Sequence, residues 1–218
     1  MEKKESRNIK VITLGDSCVG KTSIINRIVN KNFNDNQLTT IAIERFHIVR
    51  PYKKKNIEIK LTFCDTAEQE RYLNCLPKQY IRESHIALLV FSNLKDLEEL
   101  KNRWFKFYKE NANIDKTKFI VIGNKSDLFG VNKEEIKNSG KNFAEEIDAF
   151  FITCSAKSEE NIDNVEEHIL TEAKRLIDEM EKENNQKGNQ SNYDNNDRKS
   201  QKLDNNKVIK NKKKSGCC

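Results

Sequence analysis

No apolar stretch in this chain is long enough to cross a bilayer. The longest uninterrupted run, Ile86–Phe91, is far short of the roughly 20 residues a spanning helix needs. Met1–Lys10 carries charge with no apolar segment behind it, so a secretory signal is not expected, and Glu2 leaves no glycine for N-myristoylation. The cysteines, at positions 18, 64, 75, 154, 217 and 218, show no disulfide-framework spacing and no CxxC pair. Reduced thiols in a soluble, intracellular-type chain are therefore expected. A basic body is also missing. Of 40 basic and 34 acidic residues, a short run from Lys207 onward supplies five lysines and no acid, which leaves 35 against 34 elsewhere. A nucleic-acid-binding body is not expected, and the basic signal belongs to the C-terminal end.

What is present, in 218 residues, fits one domain of ordinary size with some surplus. Strand-length apolar segments alternate with stretches of helical period. Val11–Leu14 reads as a strand and Thr22–Val29 as a helix. Ile41–Val49 and Ile57–Phe63 read as a hairpin across the polar turn Arg50–Asn56, with Lys53–Lys55 solvated at its tip. Ile86–Phe91 and Phe119–Ile122 have the fully apolar character of parallel-sheet strands. Leu97, Leu100, Trp104 and Phe107 fall on one helical face, Phe150–Thr153 is a last strand, and Ile162, Val165, Ile169, Ala173, Leu176 and Met180 mark a long amphipathic helix. This alternation predicts an α/β domain with a mostly parallel sheet. Beyond Met180, Asn, Gln, Ser and Lys dominate, and a disordered linker is expected over Glu181–Gly216. Its root-mean-square reach is about 30–36 Å.

Gly15-Asp16-Ser17-Cys18-Val19-Gly20-Lys21-Thr22 matches G-x-x-x-x-G-K-[ST] between a predicted strand and a predicted helix that continues with Ser23. Its backbone N–H groups can wrap phosphate, Lys21 offers an ammonium, Thr22 offers a hydroxyl to Mg²⁺, and the helix N-terminus adds partial positive charge. Asn124-Lys125-Ser126-Asp127 follows a buried strand, where α/β sheets build ligand sites. A carboxylate such as Asp127 can accept from guanine N1–H and its exocyclic amine, a donor pair that adenine lacks. Ser155-Ala156-Lys157, after the last strand, can present backbone N–H groups to guanine O6.

With these segments the sequence resembles the small GTPase superfamily over roughly residues 8–180. Asp65-Thr-Ala-Glu-Gln-Glu-Arg71 looks like its D-T-A-G-Q-E-R segment and Thr40-Ile-Ala-Ile like its T-I-G-V segment. The resemblance implies a P-loop NTPase of the small G-protein fold, with a mostly parallel six-stranded sheet and about five helices spanning 9–180 after an N-terminal extension, 1–8. It implies a GTP/GDP switch in which Thr22 and Thr40 ligate Mg²⁺, Asp65 holds the ion through water, Phe33 packs on guanine, and Gln69 orients the attacking water while Lys21 offsets phosphate charge. Thr40 lies 19 residues after Lys21, Phe33 lies 12 after it, and Asn124 lies 59 after Asp65, spacings that support the transfer. In such enzymes intrinsic turnover is on the order of 10⁻⁴ s⁻¹ until a partner supplies an arginine finger.

The Rab branch fits best. Lys60–Cys64, Arg71–Leu76, Tyr80–Ser84 and Leu89–Asn93 look like diverged Rab segments, and Cys217-Cys218 resembles the Rab double geranylgeranylation site. Two lipid chains satisfy the two-signal rule for stable anchoring, and Lys207–Lys214 adds about 1 kcal/mol per lysine near anionic lipid. The resemblance implies vesicle transport at the cytoplasmic face of an intracellular membrane, cycling with cytosol. It also implies a monomer partnered by an exchange factor, a GTPase-activating protein, a GDP-dissociation inhibitor and effectors.

Several positions depart from the pattern. Glu68 stands where the family has the glycine of D-x-x-G, whose N–H meets the γ-phosphate. Either its carboxylate repels the triphosphate and weakens hydrolysis or switching, or it turns to solvent and its N–H still donates. Arg45, Cys64 and Ala42 replace an aromatic, a tryptophan and a glycine, so the aromatic patch through which Rab proteins meet effectors is incomplete, although Phe46 lies next door. A membrane-tethered GTP-binding module that scarcely hydrolyses is the competing reading, and an adenine-specific P-loop enzyme is a third, disfavoured by Asn124–Asp127.

Overall fold

The computed structural model describes residues 5–34, 44–65 and 78–183. Thr40, Ala42, Glu68, Gln69, residues 71–76 and the tail with Cys217 and Cys218 lie outside them. Six strands form one sheet: β1 Ser6–Leu14, β2 Glu44–Tyr52, β3 Ile57–Asp65, β4 Ile86–Phe91, β5 Lys118–Gly123 and β6 Phe150–Thr153. Their order is β2-β3-β1-β4-β5-β6, and every pairing is parallel except the β2–β3 hairpin. The helices are α1 Lys21–Asn30, α2 Lys78–Arg82, α3 Leu94–Glu99, α4 Lys106–Asn111, α5 Lys133–Glu146 and α6 over 162–183. Since α3 runs into α4 through a π-helical segment, Leu100–Phe105, these amount to five helices among the described residues, as expected. The chain divides into two compact units at Lys174/Arg175.

β4 is buried at all six positions, which its unbroken apolar run demands. β1 and β3 alternate only in their first halves and are buried throughout toward their carboxyl ends, whereas β2 is buried only at Ile48 and Tyr52. Ile9 and Val11 of β1, Ile59, Leu61 and Phe63 of β3 and Ile48 of β2 are buried on one face, with α1 against β2 and β3. On the other face Ile12, Leu14, Ala87, Leu89, Phe91 and Val121 join a core closed by Ile81 of α2, Leu97, Leu100, Trp104 and Tyr108 of the α3–α4 helix, and Phe143 of α5.

Two expectations change in detail. The turn of the hairpin is tighter than Arg50–Asn56, because β2 keeps pairing through Tyr52, opposite Ile57. Only Lys53–Asn56 turns, and Asn56 takes a left-handed conformation at φ 53°. The helical face through Leu97, Leu100 and Trp104 continues to Tyr108 rather than Phe107. Tyr108 lies eleven residues after Leu97, close to three helical turns, so it returns to the same face while Phe107 falls to its side. Burying Tyr108 is tolerated because its hydroxyl meets Ser84 Oγ at 2.6 Å and Thr117 Oγ1 at 3.0 Å. In α6, Ile162, Val165, Ile169 and Ala173 are buried as expected, whereas Met180 is 39% exposed.

Candidate functional site

β1 stops at Leu14 and α1 starts at Lys21, so the Gly15–Gly20 connection lies at the carboxyl edge of the sheet, as the motif predicts. Its two glycines are required by shape. Gly15 and Gly20 have φ of 145° and 93°, in the region that strains a side chain. A Cβ on Gly15 would stand 2.1 Å from the Val90 carbonyl oxygen, and one on Gly20 would stand 2.3 Å from Asn124 Nδ2. The loop is thus pressed against the end of β4 and against the Asn124–Asp127 segment. Cys18 also has a positive φ, 58°, and an exposed thiol.

Lys21 is 3% exposed, and its ammonium donates to the Gly15 and Asp16 carbonyls at 2.8 and 2.6 Å. It lies 5.9 Å from the centre of the Trp104 ring, and Trp104 Nε1 donates to Asp16 Oδ1 at 2.6 Å. Asp65, the last residue of β3, is wholly buried. One carboxylate oxygen accepts from the Thr22 hydroxyl and the other from Thr13 Oγ1 at 3.1 Å. Burial pushes the Asp65 carboxyl up, against the opposing pull of Thr22, Lys21 and Thr13. A carboxylate and a hydroxyl side by side, beneath a loop that can wrap phosphate, are oxygen donors of the kind magnesium takes. No cluster of three or more His, Cys, Asp or Glu residues stands ready for a metal among the described residues, so further oxygens must complete any coordination here.

Asn124 joins three segments. It is 1% exposed. Its Nδ2 donates to the Val19 carbonyl at 2.8 Å, and its Oδ1 accepts from the Ala156 backbone N–H at 3.1 Å. Lys125 adopts φ 61°, a left-handed turn that lets the chain reverse, and exposed Asp127 accepts from Ser155 Oγ at 2.5 Å. Ser155 is fully buried, Ala156 is 3% exposed, and Lys157 is on the surface. The predicted phosphate loop and both predicted base loops therefore meet at one place. Ser17 and Ser23 flank it, half-buried.

Thr13, Arg27 and Trp104 belong to the same assembly but did not stand out in the sequence. Arg27 of α1 donates to the Ala156 and Lys157 carbonyls at 2.7 and 3.1 Å and pairs with Glu159. Its guanidinium also lies over the ring of Phe33, 5.4 Å from the centroid, which brings Phe33 to the base side of the site. No sequence signal marks Arg27, whose partners lie 129 and 130 residues away. Trp104 carried one signal, an indole N–H that needs a partner once buried.

Comparison with known proteins agrees with this geometry. A family model described as "Ras family" matches residues 10–175. The chain is 35% identical over 159 residues to "Ras-related protein SEC4" of Candida albicans, covering 72% of this chain and 73% of that protein. It is 35% identical over 156 residues to "Ras-related protein Rab-11B" of Dictyostelium discoideum, covering 71% and 68%. It is 30% identical over 213 residues to "Ras-related protein RABA1b" of Arabidopsis thaliana, covering 96% and 93%. With the Ras-family match spanning most of the chain, the phosphate loop in place and relatives of Rab type along its length, this chain belongs to the Ras family as a Rab-type small GTPase.

Proposed function

We propose that this chain is a guanine-nucleotide switch of vesicle transport that binds GTP or GDP with Mg²⁺, hydrolyses GTP slowly, and is tethered to anionic intracellular membranes by geranylgeranyl groups on Cys217 and Cys218. The observation that carries this reading is the Asn124 side chain. By bonding Val19 on one side and Ala156 on the other, it fixes the phosphate end of the site relative to the base end.

Each residue then has a task. Asp127 accepts the two guanine donors while Ser155 Oγ donates to one of its oxygens, and the Lys157 backbone N–H, beside the Ala156 N–H that Asn124 holds, faces guanine O6. Phe33, backed by Arg27, covers the base. Gly15–Gly20 surrounds the phosphates with N–H groups, and the buried Lys21 ammonium exchanges its carbonyl partners for phosphate oxygens, so it neutralises charge where charge develops. Thr22, Thr40 and Asp65 hold Mg²⁺, which supplies Lewis-acid charge neutralisation when bound. Gln69 aligns the attacking water, and an arginine from a GTPase-activating partner completes the site. An exchange factor, a GDP-dissociation inhibitor and effectors act on the chain as a monomer.

Glu68 favours a second reading, in which hydrolysis is impaired and the chain serves as a tethered GTP-bound module. Single-turnover hydrolysis of wild type and Glu68→Gly separates the two, since equal rates would remove any penalty from Glu68. The primary test is chromatography of the nucleotide released from purified protein. GDP or GTP is expected, with Asp127→Ala losing the preference for guanine over adenine. A bound adenine nucleotide, or base choice unaffected by Asp127→Ala, would overturn the reading.

A further inference from the structure

Arg27 shares α1 with Lys21 and Thr22 but reaches the loop that follows β6. Its Nε donates to the Ala156 carbonyl at 2.7 Å and its Nη2 to the Lys157 carbonyl at 3.1 Å, while Nη1 pairs with Glu159. The side chain is 14% exposed, so most of this fork lies out of water, where charge-assisted hydrogen bonds are strong. Its guanidinium also lies 5.4 Å from the centre of the Phe33 ring, which limits how far it can swing.

Two adjacent carbonyls held by one side chain fix what lies on their other side. A peptide unit is planar and trans, so its N–H points opposite to its C=O. The Ala156 carbonyl, turned toward Arg27, therefore sends the Lys157 N–H away from Arg27. The next unit obeys the same rule. Its carbonyl, that of Lys157, faces Arg27, and its N–H, that of Ser158, donates at 3.0 Å to Ser155 Oγ, the hydroxyl that supports Asp127. A planar guanidinium suits this task, because it spans two carbonyls in one rigid fork, whereas a lysine ammonium is a point charge on a flexible stem.

We propose that Arg27 is a positioning residue for base recognition: by gripping the Ala156 and Lys157 carbonyls it aims the Lys157 N–H at guanine O6, and so sets how strongly the site favours a purine that carries that oxygen. This role rests on the guanine reading above and adds to it a residue that lies outside both base loops.

Competition of GDP, thioguanosine diphosphate and inosine diphosphate against a fluorescent guanine nucleotide, with the full chain in Mg²⁺, tests it. The thio compound keeps the N1–H and amine that Asp127 takes but has sulfur, a poor acceptor, in place of O6. Inosine diphosphate keeps O6 and lacks the amine. Wild type should prefer GDP to both. Arg27→Gln is expected to lower the preference for GDP over the thio compound about threefold or more, the effect of one ordinary hydrogen bond. The preference over inosine diphosphate should fall less, because Ser155 is also anchored through its own N–H to the Glu160 carbonyl at 3.0 Å. Arg27→Lys, which keeps the charge but not the fork, should behave like Arg27→Gln. Circular dichroism checks folding, and Arg27→Lys carries the test should Arg27→Gln not fold. The proposal fails if wild type does not discriminate against sulfur, or if Arg27→Gln leaves that discrimination intact. It fails equally if both preferences fall alike, which would be a general loosening of the loop, or if Arg27→Lys matches wild type, which would make charge rather than aim the cause. A chain that holds no guanine nucleotide, or whose discrimination against inosine survives Asp127→Ala, would sink the guanine reading and this role with it.

Discussion

Asp65 carries a conflict between folding and ligand binding. Folding removes its carboxyl from water and raises its pKa, mainly through burial, so the native state holds the proton more tightly than the unfolded chain does. Below the unfolded value both states are protonated and Asp65 takes nothing from stability. As pH rises through the native pKa, the ionised group in its dry site makes the native state progressively less stable. Asp65→Asn is therefore expected to raise the urea midpoint of nucleotide-free protein near neutral pH, with the advantage shrinking as pH is lowered through the native pKa. The same change should speed release of a fluorescent guanine nucleotide in Mg²⁺, because the carboxylate beside Thr22 is gone. Asp65 and Asn124 were legible in the sequence because each sits in a motif of fixed spacing. Thr13 was not, since a threonine inside an apolar strand reads as one more strand residue until its partner, 52 positions away, is placed beside it.

The elements around the site show where periodicity informs and where it fails. Ile86–Phe91 and Phe150–Thr153 were read to their observed ends, because short apolar runs bounded by polar residues leave little choice. The Ser6–Lys10 half of β1 was missed, since four of its five residues are polar and Ile9 alone is buried, leaving no apolar run to read. So was α5, whose buried stripe of Ile136, Gly140, Phe143 and Ala144 includes a glycine that carries no hydropathic signal. That glycine is a packing requirement, as a Cβ there would stand 2.5 Å from Phe151 and 2.8 Å from Phe91. Gly140→Ala is expected to cost about 1–3 kcal/mol in chemical denaturation, the usual range for overfilling a packed core. Trp104 and Tyr108, one turn apart on the buried face, divide the work: Trp104 reaches Asp16 while Tyr108 lies in the core. Trp104→Phe keeps most of the ring but removes the N–H, so it should loosen the phosphate loop by about 1.5–3 kcal/mol, the worth of a hydrogen bond to a charged group. The expected readout is faster nucleotide dissociation, with Asp16→Asn giving a smaller effect.

Across the whole molecule, the site draws on residues 13–33, 65, 104, 124–127 and 155–159, so the sheet must be assembled before any ligand can be held. Binding is then coupled to global stability. Guanine nucleotide at about 100 times its Kd should add about 2.7 kcal/mol to unfolding, while chelating Mg²⁺ with EDTA should return most of that and lower the melting temperature of the complex. Sequence alone supplied the family and the loops, because local motifs report chemistry. It could not supply Arg27 or Trp104, because the links that close the site run between segments far apart in the chain. One of those links also makes the protein its own instrument. Trp104 is the chain's one tryptophan, and it touches the loop that would carry the nucleotide. Light emitted on selective indole excitation therefore originates at a single address, and a change in its brightness would time loading and discharge without any dye attached.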